Sequence, residues 1–422
     1  MNQLFACAHQ WRSRGVIFLG LMFSLSGCAN GSSSRQSSDG AGARPLTVLA
    51  LGDEGESGSA LRACASYVTN MHTGQHDGGK FDVMIFLGDN FYNIGLNGPA
   101  SEVEGKVKDV LGRFKMPIAE LGRANVHGIT GNHDYYERNL VETSILFGLI
   151  SFEGGPIGLT DKGNRRAAAL EQWTYHYHLP AEATYALAPG SADSAQFIFV
   201  DSALPLRTNP GTWCPALDSL SRLLAASKRR PGILWRILCE HHPIYTVGEH
   251  GGYTVWDDET NRVEYLTQCD KDSNAMGYVK NMLDPEDLCA DKYRQYLDSL
   301  RAVVNAGGVR IQLSLTAHDH SLQLLNYPDR DEQVNGWPKV HVVSGAASKP
   351  TRVKFPLPPH EYTSAQVDPK KQGESVPGFV QLRFEGGKLR LAFFDAKTGE
   401  WLDMGGGVKE FWLDSSGTLL TN

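Results

Sequence analysis

The chain has 422 residues, of which 41% are hydrophobic, 21% charged and 9% aromatic, a balance that excludes disordered and collagen-like chains and leaves ample apolar surface for a core. Its 40 Lys and Arg against 47 Asp and Glu give a formal charge of -7, so no broad basic surface is available for a nucleic-acid backbone and nucleic acid is not an expected partner. At roughly 150 residues per domain the length suggests two or three domains, but the motif spacing described below favours one large one.

The first 28 residues stand apart. Arg12 and Arg14 precede an almost purely apolar run from Gly15 to Leu25, without an acidic residue, which is the pattern of a secretory signal. That run of 11 residues is about half of the roughly 20 that a helix needs to cross a bilayer, which disfavours a membrane-spanning anchor. It closes on Leu25-Ser26-Gly27-Cys28, which resembles the lipobox of bacterial lipoproteins. The resemblance implies removal of residues 1–27, acylation of Cys28, and a protein held by lipid in the bacterial cell envelope, on the periplasmic side or the cell surface. Ala29 to Pro45 (ANGSSSRQSSDGAGARP) is Ser- and Gly-rich and cannot order itself by burying apolar surface. Residues 28–45 therefore read as a flexible linker with a reach of about 23 Å, and 46–415 as the folded domain that follows it.

From Leu46 onward one grammar recurs: a short apolar run, a Gly or His cluster, then helical spacing. LTVLAL (46–51) leads to GDEG (52–55) and helical spacing over Ala60 to Met71; FDVMIFL (81–87) leads to GDNFY (88–92) and helical spacing over Val103 to Ile118. VHGIT (126–130) leads to GNHD (131–134). His176 and His178 alternate in WTYHYHLP and read as structural. FIFVD (197–201) precedes a helix over Pro215 to Ser227, and ILWRIL (233–238) leads to EHHPIY (240–245). A helix over Asp291 to Asn305 is followed by VRIQLSL (309–315), AHDH (317–320) and VHVVSG (340–345). The C-terminal FVQLRF and GGKLRLAFFDAKTGEWLDM alternate across Gly-Gly and Lys-Thr-Gly turns, as antiparallel meanders do. Most runs are apolar on both faces, as strands covered on both sides are. A layered α/β sandwich follows, for which the family resemblance given below implies an α/β/β/α order within a single domain.

Cys7 leaves with the leader and Cys28 carries lipid on this reading, which leaves Cys64, Cys214, Cys239, Cys269 and Cys289. In an oxidising compartment two disulfides and one free thiol are expected. Cys269 and Cys289, which flank one polar segment, are the first pairing, and Cys239 in ILWRILC is expected to be a buried free thiol.

The clusters supply the chemistry. Each follows an apolar run, where an α/β sheet places its ligands. Asp53, Asp89, Tyr92, Asn132, His241, His318 and His320 are carboxylate, phenol, amide and imidazole donors without a Cys cluster, a set for catalytic rather than structural metal. Seven donors exceed the needs of one ion and suit two ions roughly 3.5 to 4 Å apart.

The ordered motifs GDxG, GDNFY, GNHD, HxP and HxH closely resemble the metallophosphoesterase superfamily and, within it, the purple acid phosphatases of the tartrate-resistant type. Gly55, in place of a D-x-H histidine, and Tyr92, three residues after Asp89, mark that branch, and VVSGA (342–346) resembles a segment of its small mammalian members. The resemblance implies that Asp53, Tyr92 and His320 hold Fe(III), that Asn132, His241 and His318 hold a second divalent metal (Fe, Zn or Mn), and that Asp89 bridges them. It implies an acid phosphatase that hydrolyses phosphate monoesters of small substrates with a metal-bound hydroxide as nucleophile. His133, and His250 in GEHG against the family's AEHG, then bind phosphate and protonate the leaving group. A phosphodiesterase or nucleotide pyrophosphatase on the same fold is the nearest alternative. A catalytically idle phosphate-binding envelope lipoprotein is a further one, which loss of a ligand would favour; none is lost. No obligate protein partner is evident.

Two departures stand out. Ala317 replaces the Gly of the family's GHDH, which is tolerable unless the backbone there needs a positive φ. About 40 residues, the insert near 252–290, begin just after His250 where the small mammalian enzymes have almost none, and are expected to overhang the pocket. His242, beside the ligand His241, is expected at most to line it.

Overall fold

Side-chain alternation along short apolar strands generates the layers of this molecule. The computed structural model describes residues 44–420 except 75–78, 93–94, 96–99, 136–181, 208–209, 252–253, 258–261, 266–285, 289, 328–334, 352, 354–360 and 365–374. The leader, most of the linker, His176, His178, Cys269 and Cys289 therefore lie outside the described residues, which from Pro45 onward belong to one unit.

Strands in the N-terminal half are β1 (Thr47–Leu51), β2 (Val83–Phe86), β3 (Val126–Gly128), β4 (Glu182–Ala186) and β5 (Ser194–Val200). Next come β6 (Ile233–Glu240), β7 (Thr254–Asp257), β8 (Arg262–Tyr265), β9 (Leu313–Thr316), β10 (Leu322–Asn326) and β11 (Val340–Ser344). The last are β12 (Glu361–Thr363), β13 (Gly378–Glu385), β14 (Lys388–Asp395), β15 (Glu410–Leu413) and β16 (Leu419–Leu420). The helices are α1 (Ser59–His72), α2 (Ala100–Asp109), α3 (Lys115–Leu121), α4 (Ala203–Arg207), α5 (Pro210–Lys228) and α6 (Asp291–Gly307).

Two seven-stranded mixed sheets result, in the orders β16-β15-β14-β13-β1-β2-β3 and β12-β10-β11-β9-β6-β5-β4. In the first, β1, β2 and β3 are parallel and β13 enters antiparallel beside β1, with Leu49 opposite Gln381. In the second, β5, β6, β9 and β11 are parallel. Within β1, Val48 and Ala50 face the core between the sheets, where they meet residues such as Ile85, Phe197, Trp235, Leu315 and Phe393. Leu49 and Leu51 face the opposite way, onto Leu61, Cys64 and Val68 of α1. The outer face of the second sheet packs Ile198 and Leu238 against Leu220 and Leu224 of α5 and Tyr293, Tyr296 and Leu300 of α6. That spacing on α6 is a single apolar stripe. The α/β/β/α sandwich expected from the sequence is the observed fold.

Some elements differ from expectation for identifiable reasons. The helix expected over Val103 to Ile118 is broken into α2, a 3-10 turn at Leu111–Phe114, and α3. Pro117 has no N–H to give and, in a continuous helix, would clash one turn back; restarting at Lys115 places it in a first turn, where that donor is not needed. The run 309–315 is a strand only from Leu313, because Val309 and Ile311 pack in the outer helix layer. The segment after the Lys-Thr-Gly turn contributes only an isolated bridge from Trp401 to Phe394. Two disulfides among Cys64, Cys214, Cys239, Cys269 and Cys289 are excluded, because Cys64 and Cys239 are both buried free thiols. Cys64 lies under the outer helices and Cys239 between the sheets, so neither is placed to reach the other. Cys239 behaves as expected.

Candidate metal centre

Among the described residues, three non-glycine positions have positive φ: Asp53 (57°), Asp89 (56°) and His318 (64°). All three were singled out from the sequence as ligands. Each follows a strand, β1, β2 or β9, and the left-handed turn there redirects the side chain instead of letting the strand continue. Neighbouring glycines make room. A Cβ on Gly131 would overlap the amide nitrogen and Oδ1 of Asp89, and one on Gly52 would overlap the Cβ of Ala317. The second contact accounts for Ala317, which has no positive φ: the space taken by its methyl group is left open by Gly52 across the sheets.

Backbone bonds knit the clusters together. The Asp53 N–H donates to Gly88 O (3.0 Å), Gly55 N–H to Asp89 O (3.0 Å), Gly52 N–H to Ser344 O (2.8 Å) and Ala317 N–H to His241 O (2.9 Å). The VVSGA segment thus ties the end of β1 to the second sheet. Asp134, the last residue of GNHD, accepts from the Gly131 N–H (2.8 Å) and from the Asn90 side chain (2.7 Å). Burial and the charge of Asp89 raise its pKa to about 7 despite those bonds. It locks the second and third clusters in register, a role the motif alone did not reveal.

The predicted ligands form two adjoining groups. In the first, the Tyr92 hydroxyl lies 2.7 Å from Asp53 Oδ1 and 2.9 Å from His320 Nε2, and His320 Nε2 is 3.3 Å from the same Asp53 oxygen. In the second, Asn132 Oδ1 lies 2.9 Å from His241 Nε2 and 3.1 Å from His318 Nδ1, and His241 Nε2 is 3.4 Å from Asp89 Oδ1. Asp53, Asp89 and His241 present ligand atoms within 4.8 Å of one another, as do His241, His242 and His318. His242 sits on Ser202 through its Nδ1 (2.9 Å) and its ring lies 4.4 Å from that of His318. It is buried beside the second group, while His241 makes the contacts with Asn132 and Asp89.

This donor set fits metal. Asp53 Oδ2 and Asp89 Oδ2 are buried without a hydrogen-bond partner, an arrangement that is costly unless a cation compensates it. His241 Nδ1–H points to Leu87 O (2.8 Å) and His318 Nε2–H to Glu286 O (3.2 Å), so in each ring the remaining nitrogen faces the cluster, as ligating imidazoles require. Burial opposes ionisation of Asp89, but His241 and His133 overcome it and hold the carboxyl well below the usual range. Burial and the surrounding histidines keep His318 neutral. Burial together with Asp53 and Asp89 pushes the Tyr92 phenol well above its ordinary value, so only a strong local positive charge would release its proton.

His133 and His250 flank these groups. The His133 N–H donates to Asp89 Oδ1 (2.8 Å) and its ring packs 4.4 Å from that of Tyr92. His250 bonds Asp287 Oδ1 through Nδ1 (2.9 Å), and its ring lies tilted 4.0 Å from that of His318. Their side chains are 26% and 27% exposed, so both reach solvent from the rim of an otherwise buried site. The remaining buried histidines turn to other partners: His72 meets Glu120, His127 meets Tyr185, and His341 meets Ser314. Residues that the sequence did not flag are Glu286 and Asp287, at the closing end of the insert, and Lys349, whose ammonium lies 5.8 Å from the Tyr92 ring centroid. Of the insert itself, β7 and β8 pair as an antiparallel hairpin.

The chain matches the calcineurin-like phosphoesterase family over residues 46–270. No curated protein matches it significantly. Solved structures with a similar course include GAP50, the anchor in the inner membrane complex of Plasmodium, at 15% identity, covering 86% of this chain and 89% of that one with a TM-score of 0.47. PhoD is similar at 11% identity, with 91% and 73% coverage and a TM-score of 0.47. A predicted phosphoesterase from Streptococcus pneumoniae matches at 10% identity, with 87% and 97% coverage and a TM-score of 0.26.

Gly131→Ala is expected to strip metal from the purified protein, because the added methyl must displace Asp89, and to lower stability by about 1–3 kcal/mol. Gly58→Ala, where a Cβ meets nothing within 4 Å, is the control. Metal analysis alongside thermal melting checks this, and equal metal content in both variants would contradict the cradle.

Proposed function

The chain belongs to the calcineurin-like phosphoesterase family, and from that membership we propose that it is an acid phosphatase acting on phosphate monoesters, with Fe(III) held by Asp53, Tyr92 and His320. Asn132, His241 and His318 hold a second, divalent metal (Fe, Zn or Mn), and Asp89 is shared. The observation that carries this reading is the Tyr92 hydroxyl wedged between Asp53 Oδ1 and His320 Nε2 at 2.7 and 2.9 Å. A phenol so buried among carboxylates is a poor partner for divalent ions, and a hard trivalent ion suits it. When bound, the two metals supply Lewis acidity and activate water.

The protein's own groups do the rest. His133, His250 and the exposed Lys349 place three positive or protonatable groups at the rim, complementary to a phosphate dianion. Burial disfavours a charged His250, but the Asp287 hydrogen bond and the charges of Asp319, Asp287 and Glu286 outweigh it and carry the pKa to about 9. That balance favours the protonated form of His250. With Nδ1 engaged by Asp287, Nε2–H remains to protonate a departing alkoxide. His133, fixed through its backbone to Asp89, is placed to orient phosphate oxygens.

The Leu25-Ser26-Gly27-Cys28 sequence and the linker after it support a lipid anchor on Cys28 and residence in the bacterial cell envelope. Among the described residues, no helix is long and apolar enough to cross a membrane.

Three outcomes follow. The iron-loaded, oxidised protein is expected to be pink to purple, from phenolate-to-iron charge transfer, and Tyr92→Phe to be colourless; unchanged colour in a variant that retains iron would remove Tyr92 from the ligand set. His133→Ala and His250→Ala are expected to lower p-nitrophenyl phosphate turnover by about 10²- to 10⁴-fold with both metals retained. Loss of metal would make these residues structural, and preference for the bis ester would point to a diesterase. Cys28→Ala is expected to abolish incorporation of labelled fatty acid and release the protein from membranes; equal labelling of both forms would sink the anchor.

A further inference from the structure

Two ligands of the second metal group owe their orientation to one residue outside every motif. Glu286 is 3% exposed and lies at the closing end of the insert, five residues before α6 begins at Asp291. Its Oε2 accepts a hydrogen bond from Asn132 Nδ2 at 2.8 Å, and its main-chain oxygen lies 3.2 Å from His318 Nε2. A carboxylate can only accept, so it takes the NH₂ edge of the Asn132 amide and leaves Oδ1 to face His241 and His318. A carbonyl likewise only accepts, so it draws the Nε2–H tautomer of His318 and leaves Nδ1 facing Asn132. The segment is pinned on either side: Asp287 binds His250, and Leu288 N–H donates to His250 O at 3.0 Å.

We infer that Glu286 is a positioning residue for the second metal: one residue of the insert fixes the ligating atom of both Asn132 and His318. The inference rests on the two-metal reading above. Without Glu286, Asn132 is free to flip its amide and present NH₂, which cannot ligate, and the loss of such a supporting bond typically costs about 10- to 100-fold in metal affinity. Reach decides, rather than charge: a glutamine carbonyl accepts the same bond, whereas a carboxylate one methylene shorter does not span the gap.

The test measures Zn(II) binding to the full chain by competition with a chromophoric chelator, with apoprotein melting temperatures in parallel. Wild type is expected to take up two ions. Glu286→Ala and Glu286→Asp are expected to weaken one of them by about 10- to 100-fold, with the other ion and the apoprotein melt unchanged, and Glu286→Gln to stay within about 3-fold of wild type. In an Asn132→Ala background the effect of Glu286→Asp is expected to shrink, because the two act through one bond. Wild-type affinity in Glu286→Asp, or a Glu286→Gln variant as weak as Glu286→Asp, would overturn the inference and leave the two-metal reading standing. Failure of the wild type to bind two ions would overturn both. Should Glu286→Ala fail to fold, the Asp and Gln variants alone decide the outcome.

Discussion

Everything at the centre depends on three residues being held in a backbone conformation that none of them prefers. Asp53, Asp89 and His318 occupy the left-handed region, at a cost of about 1–3 kcal/mol each, and such strain persists only where the surroundings leave no alternative. Here those surroundings are rigid. β1, β2 and β9 are fully buried strands whose ends run directly into these turns, and hydrogen bonds from Gly52 to Ser344 and from Ala317 to His241 close the turns against each other. The strain converts parallel strands, which would carry side chains alternately up and down, into mounts that deliver carboxylates and imidazoles to one point.

The same logic explains how the chain accommodates a departure from the family pattern. Ala317 stands where the resembled GHDH motif leads one to expect glycine, and its methyl group needs volume at the seam between the sheets. Gly52 yields that volume, since any side chain there would collide with Ala317. The two positions lie 265 residues apart in sequence but share one space, so they have to be understood as a pair.

Much of this was legible beforehand, for a physical reason. Strands buried on both faces leave continuous apolar runs, and ligands at their ends sit next to those runs, so fold and first ligands share one local signal. Asp53, Asp89, Tyr92, Asn132, His241, His318 and His320 all have that neighbourhood, and the structure brings all seven together. Illegible features depend on contacts between distant segments or on backbone chemistry. Glu286 meets Asn132 across 154 residues, from a stretch with no pattern of its own. The break before α3 is set by a single proline inside otherwise helical spacing, and β4 is only half buried, too weakly patterned to stand out. The cysteine arithmetic failed because it assumed that oxidation governs pairing, whereas Cys64 and Cys239 were already committed to separate cores.

The pairing of β1 with β13 has a consequence for how the molecule comes into being. β1 needs a neighbour on each side; one, β2, is synthesised soon after it, but the other begins at Gly378. A nascent chain that has already emerged with GDEG, GDNFY and GNHD still presents an open edge on the strand that carries Asp53. Closing it requires a loop of more than 300 residues, which makes assembly slow and late. The order of synthesis thus leaves β1 with a single neighbour until the C-terminal meander is available to seal the sheet, so a product truncated before Gly378 has every motif but lacks the strand that closes the edge beside them.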